Sequence, residues 1–267
     1  MSIEVFNRYE KKYLLDTAAY QKLQGPLLEH MEPDEYNKSH EFYTISNIYY
    51  DTGDDYLIKN SMAKPEYKEK LRLRAYGVPR ADDKVFLEIK KKFKGLVNKR
   101  RTILKLEEAY EFVNGGVRPE LKKYMNRQVL NEIEYMLKLY GLEPKLYLAY
   151  DRKAMFSREN RDLRITFDSN IKTRRYDLRM ESGSYGEPLL RDGEWLMEVK
   201  AENNIPLWLS RLLSEYAIYS TSFSKYGTEY RRRLMEERNI KGERITCSKQ
   251  YSEQPQTAPQ YHWQPQY

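Results

Sequence analysis

The chain contains one cysteine, Cys247, and three histidines, His30, His40 and His262, among 267 residues. A lone cysteine cannot form an intramolecular disulfide or a cysteine-rich metal site, and a reducing compartment is the simplest expectation. The histidines read as scattered over loops and the C-terminal stretch, which argues against a His-based metal centre. Any metal would then be held by carboxylate oxygens, a donor set that suits Mg²⁺ or Mn²⁺. Long apolar runs are missing too. No uncharged apolar stretch approaches the roughly 20 residues that span a bilayer, and the opening MSIEVFNRYEKKY has no apolar signal-peptide core. A soluble, cytoplasmic protein is expected, with membrane association left to a partner. No internal repeat is visible, and a chain of this length can bury one substantial core without a second domain.

What is abundant is charge. Lys and Arg number 47 against 40 Asp and Glu, a net charge of +7 that favours an anionic partner without naming it. Its arrangement says more than its sum. In YKEKLRLRAY, residues 67–76, the alternation of a strand puts Lys68, Lys70, Arg72 and Arg74 on one side and Glu69, Leu71, Leu73 and Ala75 on the other. KVFLEIKKK repeats the division, with Lys84, Phe86, Glu88, Lys90 and Lys92 opposite Val85, Leu87 and Ile89. RDLRITFD sets Arg164, Thr166 and Asp168 against Leu163, Ile165 and Phe167, and EWLMEVK sets Glu194, Leu196, Glu198 and Lys200 against Trp195, Met197 and Val199. Near the start, Arg8, Glu10 and Lys12 share a face. Each strand alone could be an ordinary amphipathic strand with its polar side in water. Taken together the five fronts are basic with a few carboxylates, which points to a polyanion.

Helical periods lie between the strands. Thr17 is expected to cap a helix through Tyr20 and Leu23, with a break at Gly25-Pro26 before Leu27 and Leu28. Leu106–Val113 reads as a short helix ended by Gly115-Gly116, and Pro119–Leu142 as a longer one; Pro206–Tyr219 and Gly227–Glu237 complete the set. Strands with helices inserted between them predict an α+β fold with a largely antiparallel sheet. Residues 1–240 are expected to form one catalytic domain. The Gln-, Pro- and Tyr-rich stretch 241–267 has no apolar period and is expected to be a disordered tail. Most of the tyrosines, Tyr49, Tyr50 and Tyr147 among them, are expected to pack.

A strand with an apolar back and a cationic front lines a cavity if the sheet closes. Taking a cation out of water costs several kcal/mol even after relaxation, so a cluster of them needs anions. The inner faces offer five, Glu10, Glu88, Asp168, Glu194 and Glu198, against eleven cations, Arg8, Lys12, Lys68, Lys70, Arg72, Arg74, Lys84, Lys90, Lys92, Arg164 and Lys200. A closed barrel would therefore be a water-filled, electropositive tunnel, with Arg offering bidentate phosphate contacts and Lys point charges. Phosphoryl transfer also asks for a divalent metal, and Glu198, mid-strand beside Lys200, is the best ligand candidate. Glu10 and Glu88 read either as partners that fix neighbouring cations or as part of the substrate site.

The series Arg8-x-Glu10-x-Lys12, KLRLRAYG, FLEIKKK, KRR at Lys99–Arg101, YDRKAMF, LRITFD, LMEVK and FSKYG resembles, in order, the VTC polyphosphate polymerase domain of the triphosphate tunnel superfamily. The likeness runs from Phe6 to Arg232, and the series is specific where each motif alone is weak. It implies an antiparallel β-barrel tunnel with flanking helices, and transfer of the ATP γ-phosphate to a growing polyphosphate chain with Mn²⁺ or Mg²⁺. By that resemblance Lys12, Arg72, Arg74, Lys90, Arg152, Arg164, Lys200 and Lys225 are catalytic phosphate contacts and Glu198 the metal ligand. Arg8, Lys70, Glu10, Glu88, Lys99, Arg100 and Arg101 complete the substrate site. Whether Lys99 and Arg101 or Arg100 point inward is open from sequence.

Hydrolase and cyclase members of the superfamily typically open with Glu-x-Glu-x-Lys, whereas this chain has Arg8 first, which trades metal affinity for phosphate affinity and favours the polymerase branch. No stretch corresponds to the phosphate-sensing or membrane domains of the eukaryotic polymerases, so coupling to translocation would need a separate membrane partner. ATP and polyphosphate are the expected ligands. Two alternatives stay open: a triphosphate hydrolase of the same fold, and a non-catalytic module binding polyphosphate or nucleic acid. Nucleic acid is not expected, because the ladder strands carry few front-facing rings on which bases could stack.

Overall fold

Alternation decides the strands and capping decides the helices. A computed structural model describes residues 5–6, 9–39, 41–94, 96–202 and 204–240; Arg8, His40, Cys247, His262 and the expected tail lie outside them. In chain order the first elements are β1 (Val5–Phe6), β2 (Tyr9–Asp16), α1 (Thr17–His30), β3 (Met31–Pro33), α2 (Glu35–Ser39) and β4 (Tyr43–Asp51). Next come α3 (Tyr56–Met62), β5 (Tyr67–Tyr76), β6 (Lys84–Phe93), β7 (Leu96–Lys105), α4 (Leu106–Gly115) and α5 (Arg127–Tyr140). The last are β8 (Glu143–Ser157), β9 (Arg164–Arg174), β10 (Glu187–Pro188), β11 (Glu194–Ala201), α6 (Leu207–Glu215) and α7 (Lys225–Ile240).

The strands form one eleven-stranded sheet ordered β1-β7-β6-β5-β4-β8-β9-β11-β2, with β10 on β9 and β3 on β8. Hydrogen-bonded pairing thus follows an open path. The curl into a tunnel is carried by side chains: Lys90 of β6 comes within 3.9 Å of Glu10 on β2, the far edge strand. The free edge of β2 is covered by the segment before α7, where Thr221 bridges Lys12 and the Lys12 ammonium donates to the Phe223 carbonyl at 2.9 Å.

Both hydrophobic cores lie on the outside of this curled sheet. One joins Leu71 and Leu73 of β5, Val85, Leu87 and Ile89 of β6 and Leu104 of β7 to Phe112 of α4 and Val129, Leu130 and Ile133 of α5. The other joins Tyr13 and Leu15 of β2, Ile165 and Phe167 of β9 and Met197 and Val199 of β11 to Leu23 and Leu27 of α1 and Leu209 of α6. Each fully buried aliphatic or aromatic side chain contributes about 1.5–3 kcal/mol. Because that burial occurs on the backs of the strands, their fronts are released to carry charge. The inner surface is not wholly polar: Ile45, Leu148 and Leu196 are fully buried on the strand faces that also carry Asn47, Tyr150 and Glu198.

All five anticipated strands form, but the helices differ from expectation in identifiable ways. Asp16, not Thr17, caps α1, accepting from the Ala19 amide at 2.7 Å, and the helix runs unbroken through Gly25-Pro26 to His30. Packing of Leu23 and Leu27 into one core outweighs the hydrogen bond that Pro26 removes. His30 is thereby helical, stacked on Trp208 at 4.1 Å, rather than in a loop. The expected helix from Pro119 begins only at Arg127, because Asn126 caps it by accepting from Val129. The expected Pro206–Tyr219 helix is the shorter Leu207–Glu215, and the last begins earlier, at Lys225. Two short helices, α2 and α3, carried too few residues to show a period. Gly116 ends α4 in the left-handed conformation, as its doubled glycine suggested.

The chain divides into two compact units, residues 1–230 and 231–267. In the second, the described residues are helical to Ile240, with pairs Arg232–Glu236 at 3.8 Å and Arg233–Glu237 at 3.2 Å one turn apart.

Candidate functional site

Register brings the charged fronts of the strands together around three buried carboxylates. On β6, Glu88 is 1% exposed and collects cations from both neighbouring strands. Arg72 on β5 donates through Nε at 2.8 Å, Lys99 on β7 lies 2.7 Å away, and Arg74 approaches to 3.9 Å. Burial would raise the Glu88 carboxyl, yet Arg72, Arg74 and Lys99 together hold it far below the usual carboxylate range. Arg74 also donates to Asn47 Oδ1 at 2.9 Å and to the Tyr150 hydroxyl at 3.1 Å, and Arg72 to the Tyr49 hydroxyl at 3.2 Å.

Asp168 on β9 is fully buried and receives Arg152 of β8 bidentately, at 2.6 and 2.7 Å, with the Lys225 ammonium at 2.6 Å. Glu198 on β11 accepts from Lys200 at 2.8 Å and from Lys225 at 3.2 Å, with Lys12 of β2 at 3.8 Å. Glu10, cross-strand from Lys200, takes Lys12 at 3.1 Å and sits 4.0 Å from Lys200. Burial disfavours the Glu10 anion, but Lys200, Lys90 and Lys12 outweigh both that and repulsion from Glu198, bringing its carboxyl down to about 2. Glu198, buried as well, is held well below the ordinary range chiefly by Lys200, Lys225 and Lys12. Two carboxylates therefore share Lys12 and Lys200, and Lys225 links this group to Asp168.

The cations are not all compensated. Burial lowers the Lys70 ammonium to about 8 against the pull of Tyr49, and neighbouring Lys90, Lys68 and Lys12 push the same way. Lys99 also falls to about 8, burial prevailing over Glu88. Lys90 is lowered by burial despite Glu10. The Tyr49 phenol, which burial alone would raise, is drawn down to about 8 by Arg72 and Arg74. A half-buried phenol and three lumen lysines displaced in this direction, with Lys70 and Lys99 half-buried and Lys90 still reaching solvent, describe an excess of positive charge. Unit charges 4 Å apart interact by about 4 kcal/mol at an effective dielectric near 20. A ligand bearing several negative charges would relieve that repulsion at many points at once.

The structure brings together Glu10, Lys12, Lys70, Arg72, Arg74, Glu88, Lys90, Lys99, Arg152, Glu198, Lys200 and Lys225. Arg101 shares the front of β7 with Lys99 and lies 4.8 Å over the Phe86 ring. Arg164 sits apart from the carboxylate clusters, 3.6 Å from Asp34 and 5.0 Å over Phe156. Arg100 does not belong to the set: it pairs with Glu132 on α5 on the outer face, where Lys91 joins at 3.4 Å. Alternation on β7 forces the choice, since Lys99 reaches Glu88 and its neighbour must point away. Two front-face assignments also shift at strand ends, where Lys84 lies over the outer Tyr124 ring at 4.8 Å and Glu194 turns to Arg191 at 3.0 Å. Arg8 lies outside the described residues.

Four side chains of the network take roles beyond those the sequence assigns, and Tyr49, expected only to pack, accepts from Arg72. Asp168 lies on the inward face that alternation predicts, and its role as anchor of Arg152 and Lys225 comes from partners on other elements. Asn47, Tyr49 and Tyr150 act through contacts with Arg72 and Arg74. Their signal was alternation on β4 and β8, hidden because both strands are buried on both faces at their centres and do not alternate apolar with charged residues. Tyr50 and Tyr147 do pack, as expected.

A divalent ion fits here in one form only. Among the described residues no three His, Cys, Asp or Glu side chains are grouped to hold a metal. Glu198 and Glu10 offer hard oxygens, however, and Thr166, cross-strand from Glu198, keeps its hydroxyl buried with no hydrogen-bond partner. That orphaned oxygen and the carboxylates suit an ion that takes its remaining ligands from phosphate, as Mg²⁺ commonly does.

A curled antiparallel sheet with apolar backs and a cationic lumen defines a protein of the triphosphate tunnel class. A candidate adenylate cyclase from Bacillus halodurans has this fold at TM-score 0.50 and 16% identity, with 83% of this chain and 94% of that one covered. A candidate adenylyl cyclase from Hippeastrum, described as having a dominant triphosphatase activity, aligns at TM-score 0.44 and 16% identity over 90% of this chain and 98% of that one. The family is narrower: residues 7–234 match the VTC domain, and the chain belongs to the VTC domain family. A curated relative, subunit 4 of the vacuolar transporter chaperone complex of Trypanosoma brucei brucei, is 26% identical over 216 residues, covering 68% of this chain. The chain spans about a quarter of that relative's length, 27%. No helix among the described residues is long and apolar enough to cross a membrane.

Proposed function

We propose that this domain transfers the γ-phosphate of ATP to the end of a polyphosphate chain inside the tunnel, releasing ADP. The observation that carries the reading is the excess of cation along one lumen: Lys70, Lys90 and Lys99 line it with depressed ammonium pKa values, and the carboxylates beside them, Glu88 and Glu10, are each shared among several cations, which leaves room for a linear polyanion. Arg72, Arg74 and Arg152, fixed by Glu88, Asn47 and Asp168, would grip phosphate oxygens as rigid forks, and Lys12, Lys200 and Lys225 would stabilise charge on the transferred group. Because the nucleophile is itself a phosphate oxyanion, no general base is required. Glu198, with Glu10 beside it, would hold a Mn²⁺ or Mg²⁺ arriving with the triphosphate. When bound, such an ion supplies charge neutralisation on the reacting phosphates. Alignment of donor and acceptor in one channel provides the rest.

The relative's name places it in a complex, and we take a separate membrane-protein partner to receive the product of the present chain. The test is incubation with ATP and Mn²⁺, with and without a short phosphate primer, resolving chains by gel while quantifying ADP and free phosphate. Chains with stoichiometric ADP are expected, and Glu198→Ala should lower their formation by at least about a hundredfold, the order of loss for a transition-state charge stabiliser. Free phosphate without chains would replace this reading with a triphosphate hydrolase.

A further inference from the structure

One group of side chains at a tunnel mouth is unused by the phosphate chemistry. At the end of the lumen marked by the C-terminus of β5, the Tyr36 and Tyr76 rings stack at 5.4 Å with 5° between their planes. Tyr43 packs against both, at 5.4 and 6.0 Å, and Phe86 meets Tyr76 edge-on at 5.8 Å. The Arg101 guanidinium carbon sits 4.8 Å over the Phe86 ring. Tyr36 and Tyr76 are 58% and 40% exposed, an arrangement that hydrophobic burial alone does not account for. The platform is held in place: Asp34 accepts from the Asn37 amide at 3.0 Å and from the Tyr43 hydroxyl at 3.0 Å, anchoring the short helix that carries Tyr36.

Its position is joined to the phosphate site by register. Phe86 is cross-strand from Arg74, and Arg101 is cross-strand from Glu88. A phosphate gripped by Arg74 and Lys99 would thus leave whatever is attached to it lying along Phe86 and Tyr76. At the opposite end of the same strands, Tyr67 and Phe93 are cross-strand neighbours on the outer face, with Tyr67 donating to Glu69.

We propose that the Tyr36, Tyr76 and Phe86 rings with Arg101 bind the base of the nucleoside triphosphate by stacking, so that the nucleoside is held at this mouth while its phosphates enter the lumen. The inference rests on the ATP-dependent reading above. Every base has a π-face, so recognition by stacking tolerates different bases and favours the larger purines. ATP and GTP should serve about equally, and UTP less well.

Binding of ATP and of inorganic tripolyphosphate is compared by calorimetry for the full chain and for the double variant Tyr36→Ala/Tyr76→Ala. The variant should bind ATP roughly tenfold more weakly, the order of one lost aromatic stack, with tripolyphosphate affinity unchanged. Tyr76→Phe should restore ATP affinity to near the parent value when paired with native Tyr36. Equal losses for both ligands would mean that the rings only support the fold, and no loss for ATP would mean that the base lies elsewhere; either overturns the proposal. Failure of the parent protein to bind ATP while it binds tripolyphosphate would instead sink the ATP-dependent reading on which it rests, and the proposal with it.

Discussion

Lys70 and Lys99 are the residues whose chemistry departs furthest from solution behaviour in a direction that a ligand would reverse. Each has its ammonium pKa lowered to about 8, mainly by burial. A lysine is cationic below its pKa, so the free protein loses tunnel charge as pH rises through about 8, and affinity for tripolyphosphate should fall over that interval. A bound polyanion restores the cation, so binding near pH 8 should take up protons. Calorimetry in two buffers of different ionisation enthalpy reads that uptake directly, and identical heats would refute it. The folding linkage has the same origin. The unfolded lysine, with a pKa near 10.4, binds more protons than the folded one between about 8 and 10.4, so the contribution of these two groups to stability grows as pH rises through that window. At this scale the sequence was informative about residue type and face. It could not show that Lys99 shares one carboxylate with two arginines while Lys225 is held by two carboxylates, because that depends on burial and on partners distant in sequence.

Among the elements, β7 tests the architecture most sharply. Lys99, Arg100 and Arg101 are three consecutive cations, and the pleat gives the middle one to α5 and its neighbours to the lumen. Arg100→Ala should leave tripolyphosphate affinity within about twofold of the parent. Lys99→Ala should weaken it roughly tenfold or more, since a hydrogen bond to a charged group is worth about 1.5–3 kcal/mol. Titration of the two variants side by side checks the parity, and a larger loss for Arg100→Ala would overturn the register. Strand faces were legible wherever an apolar back alternated with a charged front, as in β5, β6 and β11. They were not legible in β4 and β8, whose centres are buried on both sides and whose sequences do not alternate. Helix limits followed caps more than periods, hence the late start of α5 at its Asn126 cap and the continuation of α1 through Pro26.

For the molecule as a whole, the arrangement places stabilising apolar contact outside the sheet and unfavourable charge inside it. The free protein therefore carries an electrostatic cost that a polyanion removes, and any ligand that binds only the folded state adds stability that grows with the logarithm of its concentration over its dissociation constant. At a hundredfold excess over its dissociation constant, tripolyphosphate should stabilise the fold by about 2.7 kcal/mol, seen as a rise in thermal midpoint. Glu88→Gln should lower the midpoint of the free protein, because Arg72, Arg74 and Lys99 lose a buried counter-ion; removal of one partner from such a cluster costs about 3–5 kcal/mol. Tripolyphosphate should recover a large part of that loss, because phosphate replaces the missing anion. Scanning fluorimetry with and without ligand checks both, and an unshifted midpoint in Glu88→Gln would contradict the assigned network.

By itself the sequence determined five of the strands, their apolar backs and charged fronts, the excess of cation over anion, and the family, because each is written in local alternation and in the order of short motifs. Tertiary structure alone decided that the sheet curls by side-chain contact without a closed ladder, that Asp168 and Glu198 share Lys225, that Arg100 faces outward, and that an aromatic platform stands at one mouth. Those outcomes depend on register between strands far apart in sequence, and on the burial that sets each charge, neither of which any local pattern encodes.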